Sequence, residues 1–241
     1  MKTKIIIPAR YGSSRLKGKP LIKVLGREMI LRVADICVKV CGLKNLYIAT
    51  DSKKIAHLVK KNNYNVLITS KYCLTGTDRV AETSKKIDAN IFINVQGDEP
   101  LINPIDIKKI IKAKLDNPNY VICGYCKLNK NEDPSNKNIP KIVMNSKNEL
   151  IYISRSAIPG TKKKYKHNFY KQVCIYAFNK KELNYFSKQK TKSLIEYIED
   201  IEILRFFELG IKIKMVKLNS NSVAVDEKCD IKKVEKILKN R

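Results

Sequence analysis

The chain has 241 residues, 44% hydrophobic and 30% charged, with a formal net charge of +26. A chain of this length and mix buries a sizeable core, which excludes a disordered tail. No run of 18 apolar residues occurs, and the early apolar run Ile5 to Ile7 is too short for a signal peptide, so neither a spanning helix nor membrane partnership is expected.

In chain order, residues 4–7, 45–49, 66–69 and 91–95 are short apolar runs of the kind buried on both faces of a sheet. Residues 29–40, 53–62, 78–87 and 105–115 carry helical spacing between and after them. Strand–helix alternation predicts an α/β fold with a mostly parallel, doubly wound sheet. The middle changes character. Residues 129–140 are polar with two prolines and predict a surface loop; 141–145 and 149–154 predict a hairpin; 161–168 form a basic exposed loop. Residues 171–178 then read as a strand, 193–209 as a helix, 212–218 and 223–225 as strands, and 227–238 as a closing helix. The simplest organisation is one domain over 1–241 with a hairpin-bearing insertion at about 129–178.

The charge comes from 41 lysines and only eight arginines. Lysine spread along the whole chain, beside abundant Ile and Asn, predicts a solvated surface. Nucleic acid is not an expected partner, because phosphate and base readers favour the planar fork of Arg in a concentrated groove. Seven cysteines without a secretion signal predict reduced thiols in the cytoplasm. Cys123 and Cys126 form a C-x-x-C, but a zinc site needs a second ligand pair, and this segment reads as a buried strand.

Two loops carry chemistry. Pro8-Ala9-Arg10-Tyr11-Gly12-Ser13-Ser14-Arg15-Leu16-Lys17-Gly18-Lys19-Pro20-Leu21 follows the first strand. Small residues, free backbone N–H groups and four cations beyond the carboxyl end of a parallel strand suit a polyphosphate. The spacing is neither that of a P-loop nor of a dinucleotide fingerprint. Asn94-Val95-Gln96-Gly97-Asp98-Glu99-Pro100 follows the fourth strand. A carboxylate there can hold Mg²⁺ together with nucleotide phosphate oxygens.

The two loops together resemble the bacterial CMP-Kdo synthetases, the 3-deoxy-manno-octulosonate cytidylyltransferases. The resemblance continues through Ile48-Ala49-Thr50-Asp51, Thr75-Gly76-Thr77-Asp78-Arg79-Val80-Ala81-Glu82, Tyr152-Ile153-Ser154-Arg155-Ser156-Ala157-Ile158-Pro159, the series Glu196, Glu199, Glu202, Leu204, Arg205, and Ala224-Val225-Asp226. It implies a nucleotide-diphospho-sugar transferase-like fold and transfer of CMP from CTP to the anomeric hydroxyl of an acidic 3-deoxy sugar. Pyrophosphate is released, and the activated sugar feeds lipopolysaccharide or capsule synthesis. It implies that Arg10, Arg15 and Lys19 grip the triphosphate, with Ala9, Gly12, Gly76 and Arg79 on the nucleotide side. Asp98 and Asp226 would hold Mg²⁺, and with Arg10 and Lys19 would make up the catalytic set. Gln96, Arg155, Gln172, Tyr176 and Glu202 would face the sugar. A homodimer using the hairpin region is also implied.

The departures cluster on the sugar side. The family strand H-x-G-I-Y-G-[YF] reads Gln172-Val173-Cys174-Ile175-Tyr176-Ala177-Phe178, and the E-Q-L-R helix end reads Glu202-Ile203-Leu204-Arg205. Isoleucine makes no hydrogen bond, so one polar sugar contact is expected to be lost or remade. The alternative acceptor is 8-amino-3,8-dideoxy-manno-octulosonate or another ulosonic acid. A nucleotidyltransferase for a neutral sugar phosphate fits the two loops but not the SRSAIP segment or the Glu-rich helix.

Overall fold

The computed structural model describes residues 1–12, 16–162, 167–219, 223–225 and 227–240. The first strand, β1 (Thr3–Ala9), is fully buried from Ile5 to Ile7. A two-residue β-ribbon, β2 (Lys23–Val24) and β3 (Arg27–Glu28), leads into α1 (Met29–Cys41). Then come β4 (Leu46–Thr50), α2 (Lys53–Lys61), β5 (Val66–Ile68), α3 (Gly76–Ser84), β6 (Ile91–Val95), α4 (Pro104–Asp116) and β7 (Val121–Lys127). The hairpin is β8 (Lys141–Met144) with β9 (Leu150–Ser154). After it follow β10 (Tyr170–Asn179), α5 (Lys180–Lys188), α6 (Leu194–Glu199), α7 (Leu204–Glu208), β11 (Ile213–Lys217) and α8 (Lys228–Lys239).

The main sheet has the order β11-β7-β10-β6-β1-β4-β5. Strand β1 runs parallel to both β4 and β6, β5 is parallel to β4, and β11 is parallel to β7. Strand β10 is antiparallel to β6 and β7 and carries the β8–β9 hairpin at its start. The chain winds outward from β1 through β4 to β5, then returns on the other side as β6. That reversal opens a crevice beyond the carboxyl ends of β1 and β6, the place where open α/β sheets take ligands.

Helices cover both faces. Ile30, Val33, Ala34 and Cys37 of α1 pack with α2 and α4 on the side of Ile5 and Ile7. Val80 and Ala81 of α3, with Leu183, Phe186 and Phe206, pack on the side of Ile6 and Phe92. The two C-x-x-C thiols separate between these layers, Cys126 in one and Cys123 in the other, so the pair cannot chelate one ion. Burial pushes the Cys123 thiol up to about 12.

Two expectations need correction, and one helix was not among them. Residues 193–209 do not form one helix: Asp200 takes a left-handed conformation (φ 49°) that ends α6, and α7 starts afresh at Leu204. Residues 223–225 are not a strand; the Val225 N–H instead donates to the Asp98 carbonyl at 2.9 Å. Helix α5 was not anticipated, although its Asn179–Glu182 capping box is an N-terminal signature.

Candidate active site

A cavity of about 600 Å³ lies beyond the ends of β1 and β6. One wall is the loop that leaves β1. Its shape depends on Gly18, whose φ of +71° few side chains tolerate and whose N–H closes on the Tyr11 carbonyl at 3.0 Å. That turn starts the 3-10 segment Lys19–Leu21 and brings Lys19 Nζ to Asp98 Oδ2 at 2.7 Å. Asp98 stands on the turn after β6. The preceding Gly97 lets the two loops meet: a Cβ there would lie 3.1 Å from the Pro8 carbonyl oxygen.

The amino end of α3 forms the next wall. Thr75 and Asp78 make a reciprocal capping box, so the loop enters the helix at a fixed angle. Gly76 and Arg79 line the cavity. Arg79 is only 2% exposed. Its guanidinium donates to Thr69 Oγ1, to the Ser70 carbonyl at 3.3 Å and to Asp51 Oδ2 at 3.2 Å. It therefore ties β4 and the loop after β5 to α3.

The opposite wall belongs to β10 and the α6–α7 corner. Gln172 and Tyr176 both line the cavity, and Gln172 Nε2 donates to Tyr176 Oη at 3.1 Å. Burial holds the Tyr176 phenol well above its usual range, so it enters the cavity as a neutral hydroxyl. Glu202 bridges the walls. One carboxylate oxygen accepts from Gln96 Nε2 at 2.9 Å and the other from the Thr77 N–H at 2.9 Å. Burial raises the Glu202 carboxyl above its ordinary value, while the Thr77 bonds oppose the rise.

Of the anticipated residues, Ala9, Arg10, Lys19, Gly76, Arg79, Gln96, Asp98, Arg155, Gln172, Tyr176 and Glu202 converge on this one cavity. Gly12 is exposed and not on its wall. Arg15 and Asp226 lie outside the described residues. Ile203 is corrected: it is fully buried among the apolar side chains under β6 and β10, not on the cavity wall, so its replacement of a polar residue belongs to the core.

The cytidylyltransferase family model matches residues 4–213. The chain belongs to the cytidylyltransferase family. The 3-deoxy-manno-octulosonate cytidylyltransferase of Escherichia coli is 33% identical over 237 residues, 98% of this chain and 96% of the relative. The 8-amino-3,8-dideoxy-manno-octulosonate cytidylyltransferase of Shewanella baltica is 35% identical over 246 residues, 99% of each chain. The structure of CMP:2-keto-3-deoxy-manno-octonic acid synthetase complexed with CTP superposes with a TM-score of 0.92 at 33% identity, covering 100% of this chain and 99% of that one. The resemblance expected from the loops is borne out along the chain. More distant nucleotidyltransferases share the fold: a putative glucose-1-phosphate thymidylyltransferase from Bacillus anthracis matches at a TM-score of 0.72 with 14% identity, covering 99% of this chain and 96% of that one.

In this cytidylyltransferase each Glu of the Glu-rich segment clamps a different element. Glu196 and Asp78 hold the fully buried Arg205, at 2.6 Å to Nε and 2.8 Å to Nη1, which ties α6 and α7 to α3. Glu199 accepts from Ser154 Oγ at 2.6 Å and the Arg155 N–H at 2.8 Å, which docks the end of β9. Glu202 reaches the cavity. Lys137, Cys174, Lys192 and Asp200 also line the cavity and were missed. The polarity of residues 129–140 was the only signal for Lys137, and nothing in it specified a site.

Proposed function

We propose that the chain transfers CMP from CTP to the anomeric hydroxyl of 3-deoxy-manno-octulosonate and releases pyrophosphate, activating the sugar for lipopolysaccharide or capsule synthesis. The observation that carries this reading is one cavity with two unlike walls. On one side lie Arg10, Lys19 and Asp98; on the other lie the hydrogen-bonding groups of Gln96, Gln172, Tyr176 and Glu202. The first suits a triphosphate, the second a polyhydroxylated acid. The acceptor is the one for which the Escherichia coli relative is named.

Arg10, Arg15 and Lys19 bind the triphosphate, and Ala9, Gly12, Gly76 and Arg79 shape the nucleotide's place. Arg79 acts there through its backbone and the elements it ties, since its guanidinium is already engaged. Gln96, Arg155, Gln172, Tyr176 and Glu202 orient the acid, so that its hydroxyl attacks the α-phosphorus in line with the departing pyrophosphate. No histidine lines the cavity among the described residues.

Asp98 fits a Mg²⁺ ligand. It offers a hard oxygen donor at the cavity wall, its side chain is 30% exposed, and Val225 docks against its backbone. Mg²⁺ characteristically takes one or two carboxylates and completes its shell with water and substrate phosphate. Asp226 is the second carboxylate we assign. The chemistry supplied is polarisation of the α-phosphate and a lowered pKa for the attacking hydroxyl. Lys19, salt-bridged to Asp98 at 2.7 Å, orients that carboxylate.

We take the 241 residues as one catalytic domain whose insertion, about 129–178, serves the sugar side and a homodimer. Leu194, Tyr197 and Ile198 lie at i, i+3 and i+4 on α6 and are about 70% exposed, and Ile151 on the hairpin is 50% exposed. Such an apolar face on a surface helix fits a second copy of the chain. The cytoplasm is the compartment we assign, where seven free thiols stay reduced.

The test is pyrophosphate release with CTP, Mg²⁺ and a panel of 3-deoxy-manno-octulosonate, its 8-amino analogue and sialic-type acids. The expected result is release that requires CTP, the metal and one of the octulosonates. Silence with every acid overturns the reading.

A further inference from the structure

The cations that line the cavity differ in what already occupies them. Lys19 is paired with Asp98 and Arg79 with Asp51. Lys192 Nζ lies 2.7 Å from Asp200 Oδ1. Arg155 spends three N–H groups on backbone carbonyls: Nε on Glu199 at 2.5 Å, Nη1 on Lys137 at 2.8 Å and Nη2 on Asp200 at 2.9 Å. Its Nε/Nη2 edge is thus closed to a bidentate carboxylate. Among the described residues on the cavity wall, Arg10 and Lys137 are the cations whose charged groups carry no hydrogen bond or ion pair. Arg10 stands on the β1 loop. Lys137 stands on the acceptor side, and its backbone is held at the rim by the Arg155 guanidinium. The reaction brings two anionic groups into the cavity, a triphosphate and a carboxylate, and among the described residues each side offers one unpaired cation.

We propose that the Lys137 ammonium binds the carboxylate of the acceptor acid, and that Arg155 is a positioning residue that holds Lys137 in place. This rests on reading that side of the cavity as the site of a carboxylated sugar. A Lys suits the task as a point charge on a flexible stem, able to close on a small acid after it enters.

The test uses the whole protein, saturating CTP, and two acceptors: 3-deoxy-manno-octulosonate and its neutral C1 carboxamide. The wild type should prefer the acid. Lys137→Ala should raise the KM for the acid about tenfold, the effect of losing one charge-assisted hydrogen bond. It should leave the KM values for the carboxamide and for CTP unchanged, so that the preference collapses. Lys137→Arg should restore most of it. A Lys137→Ala protein that keeps the wild-type preference for the acid overturns the proposal, as does an equal rise in the KM for CTP. A wild type inactive with both acceptors overturns the reading of the acceptor side, and this assignment with it.

Discussion

On the side we assign to the nucleotide, the cavity is walled by residues 8–10, 19–20, 73–76, 79 and 97–98, short stretches that leave a parallel strand or begin a helix. On the side we assign to the acceptor, the wall is drawn from Gln96 and from residues 137–138, 140, 155, 172, 174, 176, 192 and 200–202, most of which meet only through the hairpin, β10 and the α6–α7 corner. The first side is made largely by backbone geometry at a topological switch. The second is assembled by side-chain clamps, above all Glu199 on the end of β9 and Arg205 between Glu196 and Asp78. The lesson is that the nucleotide side follows from where the strands of the fold end, and the acceptor side from a few side-chain clamps between elements distant in sequence.

The sharpest way to break this comparison is Asp98→Asn. It removes the charge at the nucleotide side, and turnover should drop by about 10²–10³-fold or more, the loss typical of a group that stabilises transition-state charge. A near-wild-type rate in Mg²⁺ would show that Asp98 is not the metal ligand. Next in size is Arg205→Met. Asp78 and Glu196 would be left as uncompensated charges, and breaking such a buried pair costs about 3–5 kcal/mol. Chemical denaturation should report that loss. Below its transition, the acceptor KM should rise more than the CTP KM, because the corner between α6 and α7 carries Glu202; equal rises would erase the distinction between the sides.

The smallest effect concerns Glu202. Burial raises its carboxyl above the usual 4.5, and the ionised form is what accepts both Thr77 and Gln96. As pH falls through that raised pKa, one oxygen becomes a donor and an acceptor bond is lost. The kcat/KM for the acceptor should therefore decline on the acid side at a higher pH than an ordinary glutamate would give. Glu202→Gln should lack this limb and lose about tenfold at neutral pH. An unchanged pH profile in the variant would place the titration elsewhere.

Much of the fold was legible in the residues. Ile5 to Ile7, Leu46 to Ala49 and Ile91 to Val95 sit in strands where their apolar runs predicted them, and the loops after β1 and β6 are local enough that Ala9, Arg10, Lys19, Gln96 and Asp98 were singled out before the fold brought them to one cavity. The break at Asp200 was not legible, because the apolar spacing continues across it and the cause is tertiary: Glu196 turns back to Arg205 while Glu199 leaves for β9. Ile203 read as a damaged sugar contact because a motif position does not say which way a side chain faces once the helix breaks. Lys137 and Lys192 sit in polar stretches without pattern; only the fold brings them to the cavity. The +26 charge is likewise a poor guide, since the cations that matter are told apart by what pairs with them.

The central claim is that both sides serve one reaction, so the most direct measurement is the identity of the product. With acceptor labelled with ¹³C at its anomeric carbon, ³¹P and ¹³C NMR of the reaction with CTP and Mg²⁺ should show one phosphodiester between CMP and that carbon, with equimolar pyrophosphate. Free CMP with unmodified sugar, or transfer to a neutral sugar phosphate to give a CDP-sugar, would contradict the account.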